Sequence, residues 1–430
     1  MRIVVFLFPL FLSYIAWAQP IYKSRVVDSE TGEGLPYASI YASKDNGTLT
    51  NAEGVFSIEA NNEDVLRISS VGYQTLEIKA AELKDEVSMA SMVSNTHAIK
   101  ALDAERIMNK MIKRLQREYV HSNEKRDNYF FRITNSIDGK QELLEAYLTA
   151  KGATSLHDLS FLAGRRIQGH DSTVEESSIV YSCFQKMLEL GPMIFKPWQR
   201  IITPIYRGAT SKPHTITQMN TYVETNAPDF FRRDIDTHRL NADTYKWETA
   251  PKLEMDKRSY SYSAQEIDGE NGRKIYIVKS EGIISSNAFI DGTFYVEDKS
   301  YALLRFEGKL HNYNIEQEQD SRREWRKVEP IIIITYKRDG KYTEMESIVI
   351  KIEDDNLTSR AVAFNLGSRK IPFNTKEYTN SENLIEVIDQ AGTTPLMWQA
   401  NVLQHTDEEA SLINRHNTLG EGEGNYLDHP

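Results

Sequence analysis

The chain has 430 residues, one cysteine, 51 Lys and Arg against 62 Asp and Glu, and a formal net charge of -11 at pH 7. A single cysteine excludes an intramolecular disulfide, and the acidic balance argues against nucleic acid, whose binding needs a basic face that releases counterions. A mean hydropathy of -0.50, with no long apolar run after the first segment, predicts no transmembrane helix, although barrel strands leave weaker marks in a sequence.

Arg2, the apolar run from Ile3 to Ala16 and the triplet Ala16-Trp17-Ala18 describe a Sec signal peptide over residues 1–18, too short to span a membrane. The mature chain is expected to start at Gln19, and a lipid anchor would need a cysteine just after that point, whereas the only cysteine is Cys183. Residues 19–80 then read as a small β-sandwich. Short alternating runs are cut by turn signals at Ser29-Glu30-Thr31-Gly32, Asn46-Gly47, Asn51-Ala52-Glu53-Gly54 and Gly72-Tyr73, which is the density of about six or seven short strands in about sixty residues. Ala38 and Ile40 share a strand face that points to a core, and Pro36 sits near a strand start. Gly32, Gly47, Gly54 and Gly72 are read as turn glycines and Tyr73 as the anchor of the last strand.

The run V-V-D-x-x-T-G-x-x-L-P-Y-A-S-I from Val26, the block G-T-x-T-x-x-x-G-x-F-S-I from Gly47 and the S-x-V-G-Y signature from Ser69 resemble the carboxypeptidase-regulatory-like domain. That resemblance implies a prealbumin-like β-sandwich of the kind found at the N-termini of Gram-negative envelope proteins, TonB-dependent receptors among them. It also implies a domain that accompanies zinc carboxypeptidases without being catalytic itself. Asn51 stands where the family commonly has Asp.

Residues 81–120 read as a polar linker followed by an amphipathic helix, with Asp103 as its N-cap. Ala104, Met108, Met111, Ile112, Leu115 and Tyr119 form its apolar stripe, and Lys110, Lys113, Arg114 and Arg117 cover the other face. A stripe without insertion aromatics favours packing on a sheet over lying on a membrane surface.

Residues 121–400 are expected to form a larger antiparallel β domain with a helical insert near 178–207. The runs NYFFRITNSI and QELLEAYLTA flank Asp138-Gly139 as a hairpin, and the dipeptide recurs at Asp268-Gly269, Asp291-Gly292 and Asp339-Gly340 in a meander from about Tyr260 to about Phe373. In the insert, Ile179, Cys183, Met187 and Leu190 share a helix face that ends at Gly191-Pro192, so Cys183 reads as a buried inert thiol. The candidate binding surface follows: Phe195, Trp198, Arg200, Tyr206 and Arg207, in a segment broken by Pro192, Pro197 and Pro204. Such a segment is a lid over an apolar cleft, a surface touching lipid headgroups, or a loop pinned by core aromatics.

A looser resemblance covers Ala104 to Glu409. It is to the periplasmic part of uncharacterised envelope proteins that carry this sandwich, then a helix, an aromatic-Arg strand, an E-A strand motif and a T-x-E-E segment near a Trp. The matching positions are Ala104, Ile107 and Ile112; Phe131 and Arg132; Glu145 and Ala146; and Trp398 with Thr406, Glu408 and Glu409. Thr406 and Glu409 also read as a capping box on a short last helix, and residues 401–430 as that helix and a disordered acidic tail.

No H-E-x-x-H or G-x-S-x-G motif occurs, and Asp234, Asp236 and His238 lie among arginines as a solvated ion-pair surface. Arg322-Arg323-Glu324-Trp325-Arg326-Lys327 reads as a charged hairpin end. The sequence therefore points to a mostly β (α+β), exported, non-enzymatic envelope protein without cofactor or metal. It is expected to bind a partner protein, glycan or lipid in the periplasm, peripheral to the outer membrane at most. The alternatives are an enzyme with its site near Trp198 and a peripheral relative of outer-membrane barrels.

Overall fold

The computed structural model describes residues 19–92, 97–99, 101–122, 126–137, 140–151, 157–168, 260–269, 272–282, 289–311, 313–319, 322–355, 357–367, 402–416 and 423–424. The first seven strands are β1 (Ile21–Asp28), β2 (Ser39–Ser43), β3 (Asn46–Leu49), β4 (Val55–Glu59), β5 (Val65–Ser69), β6 (Leu76–Lys79) and β7 (Glu86–Met89). They form two sheets, a 3-stranded one in the order β4-β1-β7 and a 4-stranded one in the order β3-β2-β5-β6. Alternation decides the faces: Ile40, Leu66 and Ile68 point into a core shared with Val26, Phe56 and Met89, while Tyr41, Arg67 and Ser69 stay outside it.

Two expectations change here. The polar stretch after residue 80 is not all linker, because β7 pairs in parallel with β1 and sends Val87 and Met89 into the sandwich core. Asn46-Gly47 is not the turn either. Strand β3 starts at Asn46, and Gly47 faces Tyr41 across the ladder, where a Cβ would stand 2.3 Å from the tyrosine ring. Gly32, Gly54 and Gly72 do hold positive φ, of 71°, 84° and 95°.

After β8 (His97–Ile99) comes α1 (Ala101–Ser122), which buries Ala104, Ile107, Met108 and Met111. Asp103 lies inside the helix rather than at its cap, paired with Arg106 at 3.0 Å. The basic face is not turned to bulk solvent alone. Lys110 Nζ donates to the Tyr301 hydroxyl at 3.0 Å and sits 4.4 Å from its ring centre. Arg114 donates to the carbonyls of Ser300 (3.0 Å) and Lys341 (2.6 Å).

The remaining strands are β9 (Arg126–Ile137), β10 (Lys140–Lys151), β11 (His157–Gln168), β12 (Tyr260–Asp268), β13 (Lys274–Gly282), β14 (Phe289–Glu297), β15 (Leu303–His311), β16 (Tyr313–Gln319), β17 (Arg322–Val328), β18 (Ile331–Asp339), β19 (Tyr342–Asp354), β20 (Leu357–Gly367) and β21 (Glu423–Gly424), with α2 (Asp407–Asn414) before the last. A 12-stranded sheet runs β21-β11-β10-β9-β20-β19-β18-β15-β14-β13-β12-β8, and β16-β17 make a separate 2-stranded hairpin. Strand β20 pairs antiparallel with β9, Leu357 opposite Ile137, so the early hairpin and the late meander are one sheet.

The expected hairpin across residues 138–139 forms, Lys140 opposite Ile137, and Gly340 turns with φ 61° between β18 and β19. Asp291-Gly292 is instead mid-strand. Gly292 faces Gly308, and at both a Cβ would stand 2.5 Å from the Phe306 ring. The glycine pair makes room for that ring.

On β9, Phe130 and Arg132 on one face and Tyr129, Phe131 and Ile133 on the other are all buried. Among the described residues no helix is long and apolar enough to cross a membrane. The helical insert near 178–207 lies outside the described residues.

Candidate functional site

The outer face of β2 docks on the large sheet. Tyr37 leads into it with φ 60°, an unusual conformation for a bulky residue, and its buried ring packs in a core with Leu49, Phe130, Val349, Val362 and Phe364. Burial pushes the Tyr37 phenol well above its ordinary range. Opposite, the β18–β19 ladder shifts register between Thr335 and Tyr336, which leaves Glu346 as the extra residue of a bulge. A bulge re-aims a side chain. Here Glu346 turns to the sandwich, accepting from Ser39 Oγ and Tyr41 Oη at 2.8 Å each.

The segment before α2 closes the other side of this junction. Leu49 bridges in parallel to Leu403, and Thr48 donates to the Val402 carbonyl. Asn51 shows what its amide supplies. Its Oδ1 accepts from Glu53 N and Val55 N at 2.9 Å each, fixing the local turn, and its Nδ2 donates to the His405 carbonyl at 3.2 Å. A carboxylate could make the first two bonds but not the third.

Beneath lies a buried ionic clasp. Arg132 and Glu145, whose side chains are 4% and 1% exposed, face each other on β9 and β10. Arg132 Nε donates to Glu145 at 2.6 Å, Nη2 to the Leu403 carbonyl at 2.7 Å, and Nη1 to the Gln404 carbonyl and Glu409 at 3.2 Å each. Arg165 donates to the second Glu145 oxygen at 2.6 Å. Glu409 also accepts from Thr134 Oγ1 at 2.6 Å and from Thr406 N at 3.0 Å, completing the capping box. Burial drives Glu145 up, yet Arg165, Arg132 and His405 together hold it well below the usual carboxylate range.

His405 Nε2 stands 3.1 Å from Glu145 and 3.4 Å from Arg165 Nη2. One nitrogen cannot both donate to the carboxylate and accept from the guanidinium, so the neutral ring with its proton on Nε2 serves Glu145. Burial and the Arg132 charge lower the His405 pKa below 6.5, against the pull of Glu145. Both shifts are depressions, so the unfolded chain binds more protons and the clasp loses stability as pH falls. Denaturant midpoints are expected to drop first below about pH 6.5, the unfolded histidine value, and again below the unfolded Glu145 value of 4.5. His405→Gln should flatten the first step; an unchanged pH profile in that variant would reject the assignment.

Beside the clasp, sandwich and sheet enclose a cleft of about 950 Å³. Tyr41, Val65, Arg67 and Ser69 form one wall, and Arg305, Thr335, Lys337 and Glu344 the other. Tyr73 stands at its rim and donates to Asp28 at 2.8 Å. That bond and burial raise the phenol to about 12. Glu297 is held at the sheet end by Arg273 (2.5 Å), Arg338 and Ser300.

Residues 23–101 match the family model described as the CarboxypepD_reg-like domain. The chain carries a CarboxypepD_reg-like domain at its N-terminal end. Neither the curated proteins nor the solved structures gave a match. The CarboxypepD_reg-like domain reaches past the expected boundary at 80 and includes β7 and β8, in keeping with the pairing of β7 on β1. It supplies one wall of the cleft and both hydrogen-bond donors to Glu346.

Of the positions singled out in the sequence, Phe195, Trp198, Arg200, Tyr206 and Arg207 lie outside the described residues, as do Cys183, Asp234, Asp236, His238 and Trp398. Tyr73, read from the sequence as the anchor of the last strand, lies between β5 and β6 and bonds to Asp28 at the end of β1. Arg132, Glu145, Thr406 and Glu409, which the sequence offered only as scattered motifs, meet in one cluster. The Arg132–Glu145 pair was readable from the Asp138-Gly139 turn signal in the sequence, which predicts that register. His405 and the bulge at Glu346 carry no such signal. Among the described residues no group of three or more His, Cys, Asp or Glu is placed to hold a metal ion.

Proposed function

We propose that the protein is an exported, non-enzymatic envelope protein that binds a small ligand in the cleft between its CarboxypepD_reg-like domain and its large sheet. The observation that carries this reading is the cleft itself. Its volume of about 950 Å³ falls at the upper end of ligand sites, and it lies between domains, where such sites concentrate. The ionic clasp and the Glu346 bonds hold the two walls in fixed register, which spares a ligand the cost of ordering them. CarboxypepD_reg-like domains are typical of extracellular or periplasmic proteins, which agrees with export through the signal peptide at residues 1–18. A glycan or lipid headgroup fits such a cleft better than a folded partner protein does.

Native mass spectrometry of the protein taken from cell envelopes tests this. The chain is expected to start at Gln19 and to carry a noncovalent adduct that is weakened in Ser70→Trp, which puts an indole into the cleft without touching the clasp. An unprocessed chain would overturn export. An adduct retained equally in a Ser70→Trp variant of unchanged unfolding midpoint would overturn the cleft.

A further inference from the structure

We infer that α1 is a strut that sets the mouth of the cleft: Arg114, through the turn at residues 298–301, positions Glu297 and with it Arg273 and Arg338 on the sheet wall. For the effect on a ligand, though not for the contacts, this rests on the cleft being the binding site. The turn between β14 and β15 is costly. Lys299 and Tyr301 both hold φ 56°, in the left-handed region that crowds a Cβ against the neighbouring carbonyl. Asp298 adds a buried carboxylate oxygen without a hydrogen-bond partner among the described residues. Such conformations persist only where the surroundings over-determine them, and α1 supplies part of that frame. Lys110 holds Tyr301 by both hydroxyl and ring, and Tyr276 stacks on the same ring with centres 6.5 Å apart.

Arg114 holds two turns at once. Its Nη1 donates to the Ser300 carbonyl at 3.0 Å and its Nη2 to the Lys341 carbonyl at 2.6 Å, a fork that a compact ammonium does not match. Ser300 passes the first contact on, because its hydroxyl donates to Glu297 Oε2. Lys341 lies in the turn after β18, just beyond Arg338, and Arg338 donates to the same Glu297 oxygen. The other oxygen takes Arg273 at 2.5 Å. One helical side chain thus fixes both ends of the Glu297–Arg338 pair. Glu297, Arg273 and Arg338 line the cleft, so Arg114 is a positioning residue that acts on the cleft from outside its lining. The helix also starts at the last residue of the CarboxypepD_reg-like match, Ala101, which places the strut in the connection between the two walls.

A double-mutant cycle of Arg114→Gln with Glu297→Gln in the mature protein, read by urea unfolding, tests the inference. The two should be coupled: the folding equilibrium constant of the double variant is expected to fall about tenfold less than the product of the two single falls. Arg106→Gln, also on α1 but ion-paired with Asp103, should simply multiply with Glu297→Gln. Arg114→Lys keeps the charge and loses the fork, so it should restore only part of what Arg114→Gln loses, and it takes the place of Arg114→Gln in the cycle if that variant does not fold. Falls that multiply for Arg114 and Glu297 as they do for Arg106 would overturn the strut. The envelope adduct reads the ligand, and it should weaken in Arg114→Gln as in Ser70→Trp. An adduct weakened by Ser70→Trp but indifferent to Arg114→Gln would overturn the strut's hold on the cleft. An adduct indifferent to both variants removes the cleft reading itself, while the cycle, which needs no ligand, still decides the contacts.

Discussion

Glu145→Ala is expected to lower the free energy of unfolding by about 3–5 kcal/mol, the cost of breaking a buried pair and leaving its partner charged. Two guanidinium groups converge on this carboxylate, and both belong to side chains under 5% exposed. With Glu145 gone, Arg165 loses its 2.6 Å acceptor, and Arg132 keeps only Glu409 and two carbonyls. Thr406→Ala provides the contrast. It removes one cap bond, to Glu409 N at 3.3 Å, and should cost about 1 kcal/mol. Urea titrations read both. A loss for Glu145→Ala no greater than that for Thr406→Ala would mean that water reaches the clasp in solution.

Gly54→Ala should be a severely damaging single methyl in the sandwich, costing about 2–5 kcal/mol from backbone strain and overpacking together. Its φ of 84° disfavours any side chain, and the new Cβ would stand 2.5 Å from the Val26 carbonyl oxygen and 2.8 Å from Gly34 Cα, both backbone atoms. Neither can swing aside as a side chain can. Gly32→Ala isolates the conformational part, because at φ 71° its Cβ would meet nothing within 4 Å; about 1 kcal/mol is expected there. Thermal unfolding of the two variants separates the effects. Equal losses would show that the Val26–Gly34 contact relaxes without cost.

The sandwich was legible because its strands are short and local: turn glycines with positive φ and alternating Ile40, Leu66 and Ile68 are written in the nearest neighbours. The dipeptide rule failed where a glycine serves a neighbouring ring rather than a turn, at Gly47 under Tyr41 and at Gly292 beside Phe306. Composition cannot tell these apart, since both uses need a missing Cβ. The capping box of Thr406 and Glu409 was also readable, being confined to four consecutive residues. Its second role was not, because the Glu409 contacts with Arg132 and Thr134 depend on pairing β9 with β20 and on where the chain end settles. The cleft was illegible for the same reason. Arg67 and Lys337 sit on strands with no sequence relation, and a bulge at Glu346 decides how their walls meet.

The bond from Thr48 to Val402 joins residues 354 positions apart, and that separation has a kinetic consequence. Contacts this distant in sequence close slowly, since the entropy of the intervening chain is lost before the contact forms. The sandwich can assemble as soon as it emerges, but the edge of β3 finds Leu403 only once nearly all the rest has followed. Until then the outer face of β2, with Tyr37 and Tyr41, has no sheet to cover it. The domain made first is thus the one that waits longest for its final partner, and the interval before Val402 and Leu403 arrive is when this protein is most open to aggregation.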